Sequence, residues 1–521
     1  MRSLTDSASG SKQVKIGVIL SYLLIIINTL YGLFMTPFFI SKLGEAEYGV
    51  YKTISSFSAS LMVLDLGIGS TVMRYISKYR AAKEEKKIPN FMAMMLVQAA
   101  ALCGAVGLVS VGCFFALDPM YSATFTSAEL QKAKQLFVLF IISMLLHIIT
   151  NVINGAITGS NRFLFGNGIK VAKILARICA LVVLLQFFND SRVIIFVDLV
   201  LTALFLLVEV IYLAFKLKIK PKLVRWEKKL FLESGKYTFM MFLTSIAAQV
   251  NNNLDNVIVG AISGPDFVTV YSIGLLIFAM YENLSTAVSG VMLPTVANIL
   301  EEDDADIKIQ NLIVKVGRVQ FALLAAAVIG FACVGGEFLN LWLGDGFGDV
   351  YFIALILMIP SLFELCVNVC LAVLRAKNMI TFRTVTLLAS TVLNAIITII
   401  AVINWSYIGA AFGTAASFII GSLIVMNIYY YKKLRLPMLR IYLRIVDRLW
   451  LCLLISGGVL FVSSRFISGS WIAFALNVVI FCTVYLVTLL TFGLKREEKL
   501  SLPIVSKLFK KYIIDKEQKN D

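Results

Sequence analysis

The sequence predicts an all-α polytopic membrane protein of about fourteen transmembrane helices, with two six-helix lobes in parallel repeat plus two extra C-terminal helices. Three observations carry that class. Of 521 residues, 59% are hydrophobic and only 15% are charged, against about 45–50% and 25% in soluble domains. Mean hydropathy is +0.88, and apolar runs of about 20 residues, the length that crosses a bilayer core, recur along the chain. Segments of the two halves also match one another. This composition excludes a soluble enzyme, a nucleic-acid binder and a secreted disulfide scaffold. The net charge of +16 takes its meaning only from its distribution over the loops.

A polar tail (1–15) precedes the first apolar run, which is too long for a signal-peptide core and is expected to remain as a span. The N-lobe, 16–215, holds spans at 16–39, 49–73, 91–117, 134–158, 169–188 and 193–215. A basic linker, 216–236, leads to the C-lobe, 237–430. Its spans lie at 237–262, 268–293, 312–334, 351–374, 384–403 and 408–430. An amphipathic segment (431–448) places Arg440, Arg444 and Arg448 on one face, and two last spans (449–466, 471–492) lead to the tail 493–521. In that tail Lys507, Lys510 and Lys511 alternate with apolar residues. Both basic segments read as helices lying on the anionic inner leaflet.

The cations test the count. With the N-terminus cytoplasmic, 41 of the 47 Lys and Arg fall inside and six (Lys42, Lys52, Lys132, Lys134, Arg192, Arg465) outside. That asymmetry is the positive-inside pattern, and it puts both termini in the cytoplasm. All eight cysteines sit in apolar runs without a CxxC pair, and His147 is the only histidine. No disulfide framework, His-based metal site or Ser–His–Asp machinery is therefore expected, and no catalytic residue is assigned. No phosphate-loop motif is present.

Gly44-Glu-Ala-Glu-Tyr-Gly-Val-Tyr51 follows span one, and Gly264-Pro-Asp-Phe-Val-Thr-Val-Tyr271 follows span seven with the same Gly-to-Tyr spacing. Asn151-Val152 with Asn161 matches Asn368-Val369 with Asn378 at nearly the same offset. Both matches are six spans apart, so the halves share orientation, as in many secondary transporters whose substrate path runs between repeats.

The stretch Pro37–Tyr51, followed by Leu64-Asp-Leu-Gly-Ile-Gly69 and Arg74-Tyr75, resembles the start of the polysaccharide (Wzx-type, O-antigen and capsule) flippases of the MOP exporter superfamily. Leu254-Asp-Asn-Val-Ile-Val-Gly260 is similar to that family as well, and the resemblance covers about residues 16–492. It implies translocation of an undecaprenyl-pyrophosphate-linked oligosaccharide from the inner to the outer leaflet of the bacterial cytoplasmic membrane, with no enzymatic step. MATE-type drug antiporters belong to the same superfamily and remain an alternative. A membrane-embedded glycan polymerase, the third class, would need large extracytoplasmic loops that the sequence lacks. Expected partners are the lipid-linked oligosaccharide, anionic inner-leaflet lipids and glycan polymerase or export machinery, with no nucleic acid.

A charge inside the bilayer costs about 2.5–3.5 kcal/mol on insertion scales, so each one asks for a reason. Lys170, Lys173 and Arg177 fall at i, i+3 and i+7, within about 60° on a helix, and Arg177 lies about 10–12 Å along the axis from Lys170. This stripe suits a pyrophosphate, and the bland alternative is that the lysines snorkel to lipid phosphates. Lys315 and Arg318 form a shorter version. Asn28, Asn252, Asp255 and Asn256 are candidate sugar contacts in a polar cavity, with interhelical hydrogen bonding as the alternative. Asp255, Glu282 and Glu364 are candidates for ion coupling through H⁺ or Na⁺, a structural pair with an arginine being the alternative for the two glutamates. No other cofactor and no metal are expected. Asp65 and His147 are read as structural.

Overall fold

The computed structural model describes residues 23–24, 26–61, 67–289, 292–377 and 379–495. Asp65, Asn378 and the tails 1–15 and 496–521, with their basic residues, lie outside the described residues. Among the described residues there is no strand, and eleven helices are long and apolar enough to cross a membrane. By contacts the chain parts into two compact units, residues 1–273 with 387–413 and residues 274–386 with 414–521.

The first unit opens with α1 (Ile26–Leu43), α2 (Glu45–Leu61) and α3 (Ile68–Ala81). It continues through α4 (Ile88–Tyr121), α5 (Ser127–Gly159), α6 (Phe163–Phe187), α7 (Arg192–Ile211) and α8 (Lys228–Ile262). The start of α9 (Pro265–Ser289), most of α14 (Ile380–Trp405) and the start of α15 (Ile408–Ser417) complete it.

α5 is the hub, packing against α2, α3, α4, α6 and α7. Its start is specified by a capping box. The Thr126 hydroxyl accepts from the Glu129 N–H while the Glu129 carboxylate accepts from the Thr126 N–H, which satisfies two donors that the helix itself cannot use. Small residues then let backbones meet. A Cβ built on Gly155 would lie 2.4 Å from the Gly69 carbonyl oxygen, and one on Gly159 would lie 2.8 Å from that of Met73. The glycines of α3 and α5 therefore bring the two helices to backbone contact.

Gly44 and Gly264 adopt φ of +81° and +103°, a region that glycine enters without Cβ strain. Each ends one helix and starts the next. The Gly44 N–H donates to Ile40 and the Gly264 N–H to Val259. The two segments paired by sequence thus share a backbone device. The second pair differs, since Asn151 sits inside unbroken α5 whereas Asn368 lies in the break between α12 (Gly348–Cys366) and α13 (Val369–Ala376).

The second unit contains α10 (Leu293–Ile299), α11 (Ala305–Leu343), α12 and α13. Beyond α15 (Ile408–Ser417) it continues with α16 (Met426–Leu434), α17 (Met438–Val446), α18 (Leu449–Phe466) and α19 (Trp471–Thr488). α11 packs against α12, α17 and α18. Gly317 permits this, because a Cβ there would lie 2.9 Å from the Cys366 carbonyl oxygen at the helix break. α17 buries Met438, Ile441 and Ile445, yet leaves Leu439 and Leu443 77% and 66% exposed beside Arg440 and Arg444. The fourteen predicted spans overlap α1, α2–α3, α4 to α9, α11, α12–α13, α14, α15–α16, α18 and α19.

Candidate functional site

In the first unit a cavity of about 480 Å³ is lined by α1, α2, α5, α6 and α7, a size typical of ligand sites. Its cationic wall is α6, which contributes Lys170, Lys173 and Arg177. The heptad-like spacing turns all three to one side, and the structure brings them together with Asn28 of α1. Lys170 is exposed, while Lys173 and Arg177 are half-buried.

Arg177 is the most engaged of the three. Its Nη2 donates to Asp198 Oδ2 at 2.7 Å and its Nε lies 2.7 Å from Oδ1 without hydrogen-bond geometry, an ion pair held by one hydrogen bond across α6 and α7. The Tyr31 ring stands 4.9 Å from the guanidinium carbon. One helical turn away, Lys173 Nζ donates to Thr202 Oγ1 at 2.8 Å, and that hydroxyl donates to the Asp198 carbonyl at 2.6 Å. The sign of the wall is therefore positive, with one carboxylate against three cations.

The remaining lining is neutral and polar. His147 and Ser143 face the cavity from α5, and Ser55 and Ser58 from α2. The Ser58 hydroxyl is buried without a hydrogen-bond partner among the described residues. Asn28 turns its amide back onto the Leu24 carbonyl at 2.8 Å, leaving its own carbonyl oxygen as the acceptor on offer. Sequence reasoning gave no role to the serines, which carry no signal inside an apolar run. It also left the Arg177–Asp198 pair unfound, because that pairing is made by helix packing.

The other candidates lie elsewhere. Asp255 is 2% exposed and accepts from the Tyr271 hydroxyl at 2.8 Å, Asn394 Nδ2 at 3.3 Å and Thr398 Oγ1 at 3.5 Å. It ties α8 to α9 and α14 and is no part of the cationic cavity. Asn256 is also buried and donates to Ser56 Oγ at 2.9 Å, joining α8 to α2. The side chain of Asn252 lies outside the described residues.

In the second unit, Glu364 pairs with Arg383 at 3.5 Å, the arginine partner that the sequence held open as an alternative. Glu282 is half-buried within electrostatic reach of Glu364. Lys315 is exposed. Arg318 is 4% exposed and donates to the carbonyls of Arg444, Ile445, Asp447 and Gly493. Its charge is spent on the ends of α17 and of the turn after α19. It is no part of a cationic stripe with Lys315, because i and i+3 residues straddle the edge of this packed face.

Helix content and the apolar spans define an all-α polytopic membrane protein. The chain belongs to the polysaccharide biosynthesis protein family, whose sequence model matches residues 14–300. The resemblance drawn from the Pro37–Tyr51 stretch is thereby borne out. Lipid II flippase MurJ in an inward closed conformation is similar in fold, with TM-score 0.70 and 15% identity over 91% of this chain and 97% of that one. An inward-facing multidrug resistance MATE transporter of the MOP superfamily gives 0.59 and 14% over 79% and 96%. A eukaryotic MATE transporter gives 0.54 and 14% over 84% and 99%. At such identities the likeness is one of fold. No curated protein matches the sequence.

Proposed function

We propose that this chain translocates undecaprenyl-pyrophosphate-linked oligosaccharide repeat units across the bacterial cytoplasmic membrane by alternating access, with both termini in the cytoplasm. The observation that carries this reading is the α6 wall, on which Lys170, Lys173 and Arg177 line one cavity. A diphosphate needs several donors at close quarters, and a guanidinium offers the planar fork that phosphate accepts best. Ser55, Ser58 and Asn28 supply neutral groups suited to sugar hydroxyls, while the prenyl tail stays in lipid. Membership of a polysaccharide biosynthesis family supports a glycan cargo.

Asp255 is a buried carboxylate that accepts from Tyr271, Asn394 and Thr398, and a buried carboxylate inside the membrane asks for a functional reason. We read Asp255 as the coupling carboxylate for Na⁺ or H⁺, with Glu282 and Glu364 as further titratable groups. On α17, arginines beside exposed leucines fit an anionic inner leaflet. A glycan polymerase acting on the delivered repeat unit is the expected functional partner.

A drug antiporter for organic cations would want an acidic or apolar cavity, and the positive wall speaks against it. The test is reconstitution of the purified chain in proteoliposomes. Flipping of a labelled undecaprenyl-diphosphate-linked glycan above protein-free liposomes supports the proposal. Ion-driven efflux of cationic drugs without glycan flipping would replace it with the antiporter.

A further inference from the structure

We propose that Asp198 is a resident counter-ion which the substrate's diphosphate displaces from Arg177, and that Lys173 then receives the displaced carboxylate. This rests on the reading of the cavity as a diphosphate site and adds a residue that sets how tightly, and for how long, the anion is held.

Arg177 Nη2 donates to Asp198 Oδ2 at 2.7 Å and Nε lies 2.7 Å from Oδ1 without donating to it, so the carboxylate occupies the edge of the guanidinium that could otherwise grip a phosphate with two parallel bonds. That edge cannot serve two anions at once. The Tyr31 ring stands against the guanidinium, and a diphosphate that takes the Nε–Nη2 edge does so only as Asp198 leaves it. A carboxylate left unpaired beside a diphosphate is strongly disfavoured, so the displaced group needs a cation.

Lys173 is placed to be that cation. Its ammonium is bound to Thr202 Oγ1, and the same hydroxyl donates to the Asp198 main-chain carbonyl. Lys173 and Asp198 already lie within electrostatic reach of each other. The exchange of partners therefore asks for side-chain rotamer changes on α6 and α7, not for helix movement. His147 on α5 also feels the Lys173 charge, and Lys170 is exposed at the other end of the stripe.

Internal competition has a use in a transporter. Three cations without a competitor would hold a diphosphate in every conformation, and tight binding of that uniform kind does not speed a cycle. Asp198 returning to Arg177 supplies the force that expels the anion. Removing its charge should strengthen binding and slow turnover, an opposite movement of two quantities that a merely structural residue would not produce.

The experiment measures binding of inorganic pyrophosphate and farnesyl diphosphate to the purified full chain, with flipping in proteoliposomes alongside. Asp198→Asn is expected to bind both probes about tenfold tighter, the low end of measured couplings between close charge pairs, and to flip labelled lipid-linked glycan more slowly. Arg177→Gln is expected to lose binding. If Arg177→Gln loses binding and Asp198→Asn binds no tighter than the natural protein, the counter-ion role is overturned while the cavity assignment stands. If both variants bind as the natural protein does, the cavity assignment itself falls.

Should Asp198→Asn fail to fold, the natural protein labelled with ¹³C-aspartate decides. Pyrophosphate is expected to shift a carboxylate band in the infrared difference spectrum, and to leave it unmoved in Arg177→Gln. A natural protein that binds pyrophosphate without any carboxylate shift would overturn the proposal.

Discussion

Arg318 Nη1 lies 2.8 Å from the main-chain oxygen of Asp447, joining the middle of α11 to the end of α17. The same guanidinium donates to Arg444, Ile445 and Gly493. A buried carbonyl left unsatisfied costs about 1–3 kcal/mol. Arg318→Met is therefore expected to lower the melting temperature of the purified protein sharply, and Arg318→Lys, which keeps an ammonium donor, to lower it less. Pyrophosphate binding, measured below the melting point, should be unchanged in both. Loss of binding at full stability would return Arg318 to the substrate path.

The α3–α5 contact makes a second prediction. Gly155→Ala places a methyl 2.4 Å from the Gly69 carbonyl oxygen, an overpacking worth about 1–3 kcal/mol. Gly107, in α4, has nothing within 4 Å of a built Cβ. Gly107→Ala should be neutral or raise stability by up to about 1 kcal/mol, since alanine is the better helix former. Equal melting temperatures for the two variants would show that helix approach at Gly155 is less tight than the structure has it.

A third concerns pH. In the α6–α7 loop, burial works against ionisation of Asp190. Hydrogen bonds from the Arg192 side chain and main chain, with the Lys132 charge, outweigh that burial and hold the carboxyl below its ordinary value. Lys132 also reaches Glu47 at 2.8 Å, so the cluster stitches the loop to α2 and α5. A carboxyl depressed on folding contributes stability above its unfolded value of about 3.9, and that contribution is lost as pH falls toward the folded value. Asp190→Asn should melt below the natural protein at pH 7, and the gap should narrow as pH falls below about 4. A gap as large at pH 3 as at pH 7 would exclude this linkage.

The Asp255 cluster yields a fourth. Asp255→Asn turns one acceptor into a donor facing the groups of Tyr271, Asn394 and Thr398. Flipping in proteoliposomes is expected to lose its dependence on a Na⁺ or H⁺ gradient, while pyrophosphate still binds in the Arg177 cavity. Retained gradient dependence would move the coupling site to Glu282 or Glu364.

How much of this was legible in the sequence follows from what each signal measures. The i, i+3, i+7 spacing of Lys170, Lys173 and Arg177 is a property of one helix, and one helix suffices to put them on a common face. The glycine-to-tyrosine repeat at Gly44 and Gly264 was legible for the same reason, since a positive φ is a local demand. Pairings are different in kind. That Arg177 meets Asp198, or that Arg318 meets four carbonyls, depends on which helices pack and how far each is rotated. The polar stretch from Asn251 to Asn256 shows the limit. Its amides and carboxylate suggested a wet cavity, yet Asp255 and Asn256 are buried in helix contacts. Inside a membrane a polar residue can equally well serve a neighbouring helix, and spacing alone does not separate the two.

The central claim is that the α6 cations carry the diphosphate. It is tested most directly by charge reversal at the deepest of them. Purified Arg177→Glu, reconstituted at the same density as the natural protein, is compared in flipping of labelled undecaprenyl-diphosphate-linked glycan. Flipping is expected at the protein-free background, with the melting temperature showing a folded chain. Flipping by Arg177→Glu at the natural rate would contradict it.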